Sequence, residues 1–224
     1  MGGAVTVRRV GEDALLLEVG SVDQVAALYA LLTERRDTLP EITEIVPAAR
    51  TVLVDGVADR VALARELTRW SVPEHPPAEG PLIEVPTVYD GADLAEVAAR
   101  WGVSPAEAVR IHTAAEYRVA FCGFAPGFGY LTGLPDRYAV PRRATPRSSV
   151  PPGSVALAGP YTGVYPRSSP GGWQLVGRTA LRLWDTGREP AALLAPGVRV
   201  RFTAVTRTAV APGATRDAQG GAGA

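Results

Sequence analysis

The sequence predicts an α+β protein, with a small N-terminal unit of order ββαββα followed by a larger β-rich domain closed or nearly closed into a barrel. Three observations predict it. The N-terminal third alternates strand-like apolar runs with helical apolar periods. The segment VPEHPPAEGP, from Val72 to Pro81, is proline-dense and aperiodic, as a linker is. The run from Glu116 to Thr179 repeats glycine and proline every few residues, yet fills the gaps with aromatic and β-branched side chains. A flexible linker would lack those apolar residues, and a helix would not tolerate that many prolines and glycines. Short strands joined by stiff, specific turns remain.

In chain order, Val5 to Val10 and Ala14 to Val19 form a strand pair around the Gly11-Glu12-Asp13 turn. Val25, Leu28, Tyr29, Leu31 and Leu32 give a helical period over Val22 to Leu39, stopped by Pro40. Ile42 to Pro47 and Thr51 to Val54 make a second strand pair, and Arg60 to Trp70 a second helix. That order suits two helices laid on one face of an antiparallel sheet. The second domain opens with a strand at Leu82 to Tyr89 and two short helices, Asp93 to Trp101 and Ser104 to Ala115. Ser104, Pro105 and Glu107 occupy the N-cap, first-turn and capping-box positions. Strands are then expected at Tyr117 to Phe121, Ser154 to Ala158, Trp173 to Gly177, Leu181 to Trp184 and Val198 to Ala204. Closing them into a barrel removes the exposed edges that so many short strands would present. The expected division is residues 1–75, a linker at 76–81, a barrel at 82–208 and a disordered tail at 209–224.

Composition narrows the function. The 224 residues carry no net charge, which argues against a nucleic-acid or membrane-surface protein. All 23 basic residues are arginine, so lysine nucleophiles, Schiff bases and a P-loop lysine are excluded. A single cysteine, Cys122, forbids an intrachain disulfide and fits a reducing, cytoplasmic setting; its apolar surroundings, VAFCGF, suit a buried structural thiol. Two histidines, His75 and His112, cannot make a histidine-rich metal site, and no spacing reads as metal ligands. The N-terminus has no apolar signal region, and no stretch approaches a membrane span.

The barrel segment carries an ordered series of motifs. They are HTAAEYRV at His112–Val119, GFAPGFGYL at Gly123–Leu131, Pro141-Arg142, ATPR at Ala144–Arg147 and VPPGSV at Val150–Val155. TGVYP at Thr162–Pro166, SPGGW at Ser169–Trp173 and Gly177-Arg178-Thr179 complete it, with GEDAL at Gly11–Leu15 near the start. In these the chain resembles the family of bacterial 5-oxoprolinase B-type subunits, also called allophanate hydrolase subunit 1 or the Kip inhibitor. The resemblance implies a cyclophilin-like C-terminal barrel and a homologous partner, the C-type subunit. It implies kinship with the two halves of the urea carboxylase carboxyltransferase domain. With a third, A-type subunit, such an assembly opens 5-oxoproline to L-glutamate using ATP, with Mg2+, held in the complex. Many relatives read Gly-Asn-Gln-Thr-Gly where this chain has Gly159-Pro160-Tyr161-Thr162-Gly163, so a phenol replaces an amide in a loop expected to line the site.

The motif positions supply the candidate site. An activated lactam or acyl phosphate carries anionic oxygens, which arginine forks match bidentately. Arg118, Arg142, Arg147 and Arg178 are the arginines with motif support; each could equally tie turns to carboxylates or carbonyls. The candidate catalytic residues are His112, Arg147 and Arg178, with His112 able to act as a base or to serve the fold. Candidate substrate- or nucleotide-binding residues are Arg118, Phe124, Pro126, Gly127, Tyr130, Arg142, Thr162, Tyr165, Gly171 and Gly172. Their glycines would bring backbone amides close to an anion, as oxyanion loops do, although tight barrel turns need them too. The spacing matches no Walker A loop. Competing readings are a regulator that docks a histidine kinase, an allophanate hydrolase component, and a barrel with a peptide-binding groove.

Overall fold

The computed structural model describes residues 4–76 and 80–206. The N-terminal unit builds one antiparallel sheet from β1 (Thr6–Val10), β2 (Ala14–Glu18), β3 (Glu44–Pro47) and β4 (Thr51–Asp55), in the order β1-β2-β4-β3. Strand alternation selects the buried face: Leu15, Leu17, Val52 and Val54 are sealed, while Leu16 and Leu53 stay partly exposed. Helices α1 (Val22–Glu34) and α2 (Arg60–Leu67) add Val25, Leu28, Leu32, Leu63 and Leu67 to the same core. Ser21 caps α1 by accepting from the Gln24 amide, and Asp59 caps α2 by accepting from Val61 and Ala62.

Two boundaries differ from expectation. Helix α1 stops at Glu34, and a 3-10 turn at Arg36–Thr38 replaces its expected last turn. Arg36 there donates to the Ile42 and Thr43 carbonyls and folds the chain back toward β3. Val72, read as linker, is fully buried in the N-terminal core, so the tether begins after it. The expected tail at 209–224 lies outside the described residues.

The second unit contains β5 (Leu82–Thr87), α3 (Leu94–Trp101), α4 (Pro105–Ala114), β6 (Tyr117–Cys122), β7 (Gly129–Thr132) and β8 (Arg147–Val150). It continues with β9 (Ser154–Ala158), β10 (Tyr161–Val164), β11 (Ser169–Gly171), β12 (Gln174–Arg178) and β13 (Arg199–Ala204). Seven strands form one sheet, β12-β9-β10-β7-β6-β13-β5, while β8 and β11 make a separate two-stranded ribbon. The two outer strands of the seven meet. Val88, just past β5, exchanges both backbone hydrogen bonds with Arg178 at 2.9 Å each. This is the barrel the resemblance implies, with Val85, Tyr117, Val119, Leu131, Val155, Val164 and Phe202 in its core.

Leu181 to Trp184 is not a strand. A lone bridge from Trp184 to Ala192 is all the pairing it makes. That bridge is flanked by backbone bonds from Leu193 N–H to the Leu183 carbonyl at 2.9 Å and from Asp185 N–H to the Ala191 carbonyl at 3.0 Å, and the Arg188 guanidinium adds bonds to the Pro190 and Ala191 carbonyls. No helix of the described residues is long and apolar enough to cross a membrane.

Candidate functional site

Between β6 and β7 the chain runs through Gly123 to Phe128. The turn is closed by Phe128 N–H donating to the Ala125 carbonyl at 2.9 Å and Gly123 N–H donating to the Phe128 carbonyl at 3.2 Å. Phe124 is the one non-glycine with positive φ among the described residues, at +66°. That conformation costs an L-residue about 1–2 kcal/mol. The turn thereby pushes outward a ring that burial would otherwise claim: Phe124 is 58% exposed. Gly127, at φ +82°, makes the turn possible, since a Cβ there would stand 2.9 Å from the Trp184 Cβ and 3.2 Å from the Leu183 carbonyl.

Behind Phe124 stands a continuous aromatic wall. Phe124 meets Phe128 edge-on at 5.3 Å and Tyr165 at 6.2 Å. Phe128 meets Trp173 at a right angle, and Phe121 stacks on Tyr130 at 4.4 Å, with Tyr161 against both. Tyr161, the departure from the family loop, is thus part of the wall. The Tyr165 phenol lies over Gly171, where a Cβ would come within 2.3 Å of its oxygen, so only glycine fits. Burial raises the Tyr165 pKa against a backbone hydrogen bond from Trp173 and the charges of Arg142 and Arg147, which keeps the phenol protonated.

Beside this wall lies a charge cluster organised by Asp93, the residue that precedes α3. Asp93 is only 3% exposed. Its Oδ1 accepts from Arg143 Nη1 and Arg147 Nη2, both at 2.8 Å, and its Oδ2 accepts from the Leu175 amide at 2.7 Å. Burial alone would raise this carboxyl. The Arg147 hydrogen bond, the Leu175 amide and the charges of Arg147 and Arg143 outweigh it and hold the group below the usual carboxylate range. The Arg143 amide donates to the Gly172 carbonyl at 2.7 Å, which ties the arginine loop to the SPGGW turn. Gln174 adds a second tie, donating to the Pro141 carbonyl at 3.2 Å.

The structure therefore gathers Phe124, Gly127, Tyr130, Arg147, Tyr165, Gly171 and Gly172 on one side of the barrel, with exposed Arg142 near Tyr165 and exposed Pro126 on the Phe124 turn. The other candidates stand elsewhere. Thr162 is buried on β10 within the barrel. Arg178 lies at the seam, three residues beyond Leu175 on β12, and pairs with Asp90 through Nε and Nη2 at 3.1–3.2 Å. Arg118 donates to the Gly197 carbonyl and lines two grooves of about 450 and 380 Å³ between α1 and the barrel.

His112 corrects the expectation of a base. Its ring on α4 is 2% exposed, packed on Tyr117 and Phe202, with Nδ1 2.7 Å from the Tyr89 phenol. Burial lowers its pKa to about 3. A base must touch the proton it takes, and this imidazole is sealed away from any ligand. Asp93 and Arg143 are the residues sequence reasoning missed. Asp93 reads as a helix start, and its partners lie 50, 54 and 82 positions away, so no local pattern marks it. Among the described residues no group of His, Cys, Asp or Glu is placed to hold a metal ion.

All but the last strand of the barrel, with its glycine turns and the arginine loop, lies inside the stretch that a known protein family matches. The family described as carboxyltransferase domain, subdomain C and D, matches residues 5–194. The urea carboxylase of Kluyveromyces lactis shares the fold, with a TM-score of 0.64 at 20% identity over 92% of this chain and 22% of that one. The crystal structure of TTHA0988 superposes with a TM-score of 0.72 and 36% identity, covering 90% of this chain and 41% of that one. The B-type subunit of 5-oxoprolinase from Escherichia coli O157:H7 is 42% identical over 203 residues, 86% of this chain and 93% of the relative. The chain belongs to the family of 5-oxoprolinase B-type subunits.

Proposed function

We propose that this chain is one component of an ATP-dependent 5-oxoprolinase. With the homologous C-type subunit and the A-type subunit, it opens 5-oxo-L-proline to L-glutamate as ATP is hydrolysed. The observation that carries this reading is the 42% identity to a 5-oxoprolinase B-type subunit along nearly the whole of both chains. The site chemistry supports it. Arginine forks and glycine turns beside an exposed aromatic ring suit a small ring with anionic oxygens. Lysine and thiolate nucleophiles are not on offer: the chain has no lysine, and burial pushes the Cys122 thiol up to about 11 while its Sγ donates to the Leu194 carbonyl. On this reading its residues hold and orient the ligand, and the nucleotide chemistry is completed in the assembly.

The test is glutamate release from 5-oxo-L-proline with ATP, measured on this chain alone and together with its A-type and C-type partners. Turnover should require the assembly. Robust release by the chain alone, or none by the full assembly, rejects the reading. Within the assembly, Phe124→Gly should lower kcat/KM about tenfold, the equivalent of about 1.4 kcal/mol of lost ring contact. Glycine tolerates the left-handed backbone, so the melting temperature should stay nearly constant. A melting temperature that falls sharply while activity persists would make Phe124 a structural residue.

A further inference from the structure

We propose that Asp93 is a positioning residue that presets Arg143 and Arg147 as a paired receptor for one oxyanion of the ligand, a carboxylate or a phosphate. This deepens the site reading above and rests on it. One carboxylate faces two guanidiniums, so the trio keeps a net positive charge. Asp93 itself is spent: Oδ1 takes both arginines and Oδ2 takes the Leu175 amide. The arginines are not spent. The Arg143 side chain is 32% exposed and that of Arg147 22%, so both reach the surface, Arg147 near Tyr165 and Arg143 from the loop whose backbone is tied to Gly172. Arg143 Nε and Arg147 Nη1 are buried with no partner among the described residues, so an anion would meet the exposed faces of the two forks and not these nitrogens. The exposed parts of the two forks carry N–H donors beyond those given to Asp93, and an oxyanion offers the several lone pairs that two adjacent forks can take.

Asp93 makes the pairing possible. Two guanidiniums this close repel each other, and without a shared carboxylate they would swing apart into solvent. Anchored to the Leu175 amide, the carboxylate fixes where the forks stand before any ligand arrives, so less side-chain freedom is lost on binding. This role predicts a sign opposite to simple electrostatics. Asp93→Asn makes the cluster more positive, yet it should bind anions more weakly.

The full-length chain is titrated calorimetrically with inorganic phosphate, 5-oxo-L-proline and ATP in separate experiments. At least one probe should saturate a single site; saturation by 5-oxo-L-proline assigns a carboxylate, and saturation by phosphate or ATP alone assigns a phosphate. Arg143→Ala and Arg147→Ala should each weaken that probe about tenfold or more, and Asp93→Asn about tenfold. Equal or tighter binding by Asp93→Asn overturns the positioning role. If Asp93→Asn does not fold, the two arginine variants decide, and unchanged binding in both overturns the receptor. Probe binding by the chain with no glutamate release by the assembly sinks the oxoprolinase reading and leaves this one standing. Release by the assembly with no probe saturating the chain overturns this one alone.

Discussion

Asp93→Ala is expected to lower the unfolding free energy by about 3 kcal/mol, the lower end of what losing one partner of a buried ion pair costs. The lower end applies because the arginine partners are partly solvated while the carboxylate is not. The substitution strands two guanidiniums and leaves the Leu175 amide on β12 without its acceptor. It also unties three places at once: the start of α3, the arginine loop and β12. Urea unfolding of wild type and variant measures it, with an unchanged m-value confirming that stability, not compactness, has moved. A loss below about 1 kcal/mol would show that solvent replaces the carboxylate and that the cluster does not hold the fold.

Acid should weaken the fold through His112. Its folded pKa is lowered to about 3, against about 6.5 for an unfolded histidine. Above the unfolded value both states are neutral and the full stability is present. As pH falls below it, the unfolded chain binds a proton that the sealed native ring refuses. Stability is then lost at up to about 1.4 kcal/mol per pH unit until the folded pKa is reached. Between pH 6.5 and 4.5 the loss should approach about 2–3 kcal/mol. His112→Phe keeps an aromatic ring between Tyr117 and Phe202 but cannot take a proton. It should remove that slope, while the carboxylate losses at lower pH remain. Parallel slopes for the two proteins in that window would mean that the unfolded and folded states bind the proton alike.

The large elements were legible because their signals are local. The Leu15/Leu17 and Val52/Val54 alternation marks buried strand faces, and Ser104-Pro105 with Glu107 marks a helix start. The ribbon strands β8 and β11, rich in serine, proline and glycine, and the short β7 and β10 went unread, since three or four residues are too few to show a period. The glycine turns and Arg147 stood out as motif positions. Asp93 did not, because its meaning depends on β8 and β12 arriving beside it. His112 misled for the converse reason: a titratable residue on a short helix looks available until Tyr89, Tyr117 and Phe202 close over it.

The parallel pairing of β5 with β13 sets the order in which this molecule can be made. Leu82 pairs with Arg199, so the first barrel strand waits for the last one before its inner edge is covered. The ββαββα unit contains all its own strand partners and can fold as soon as it is synthesised. The barrel cannot. Its closing contacts span nearly the whole domain, which makes its folding slow and leaves β5 and β6 without their β13 partner while the chain grows. Newly made chains interrupted before Arg199 would therefore carry a finished N-terminal unit and an open, adhesive sheet, the form on which chaperones and proteases act.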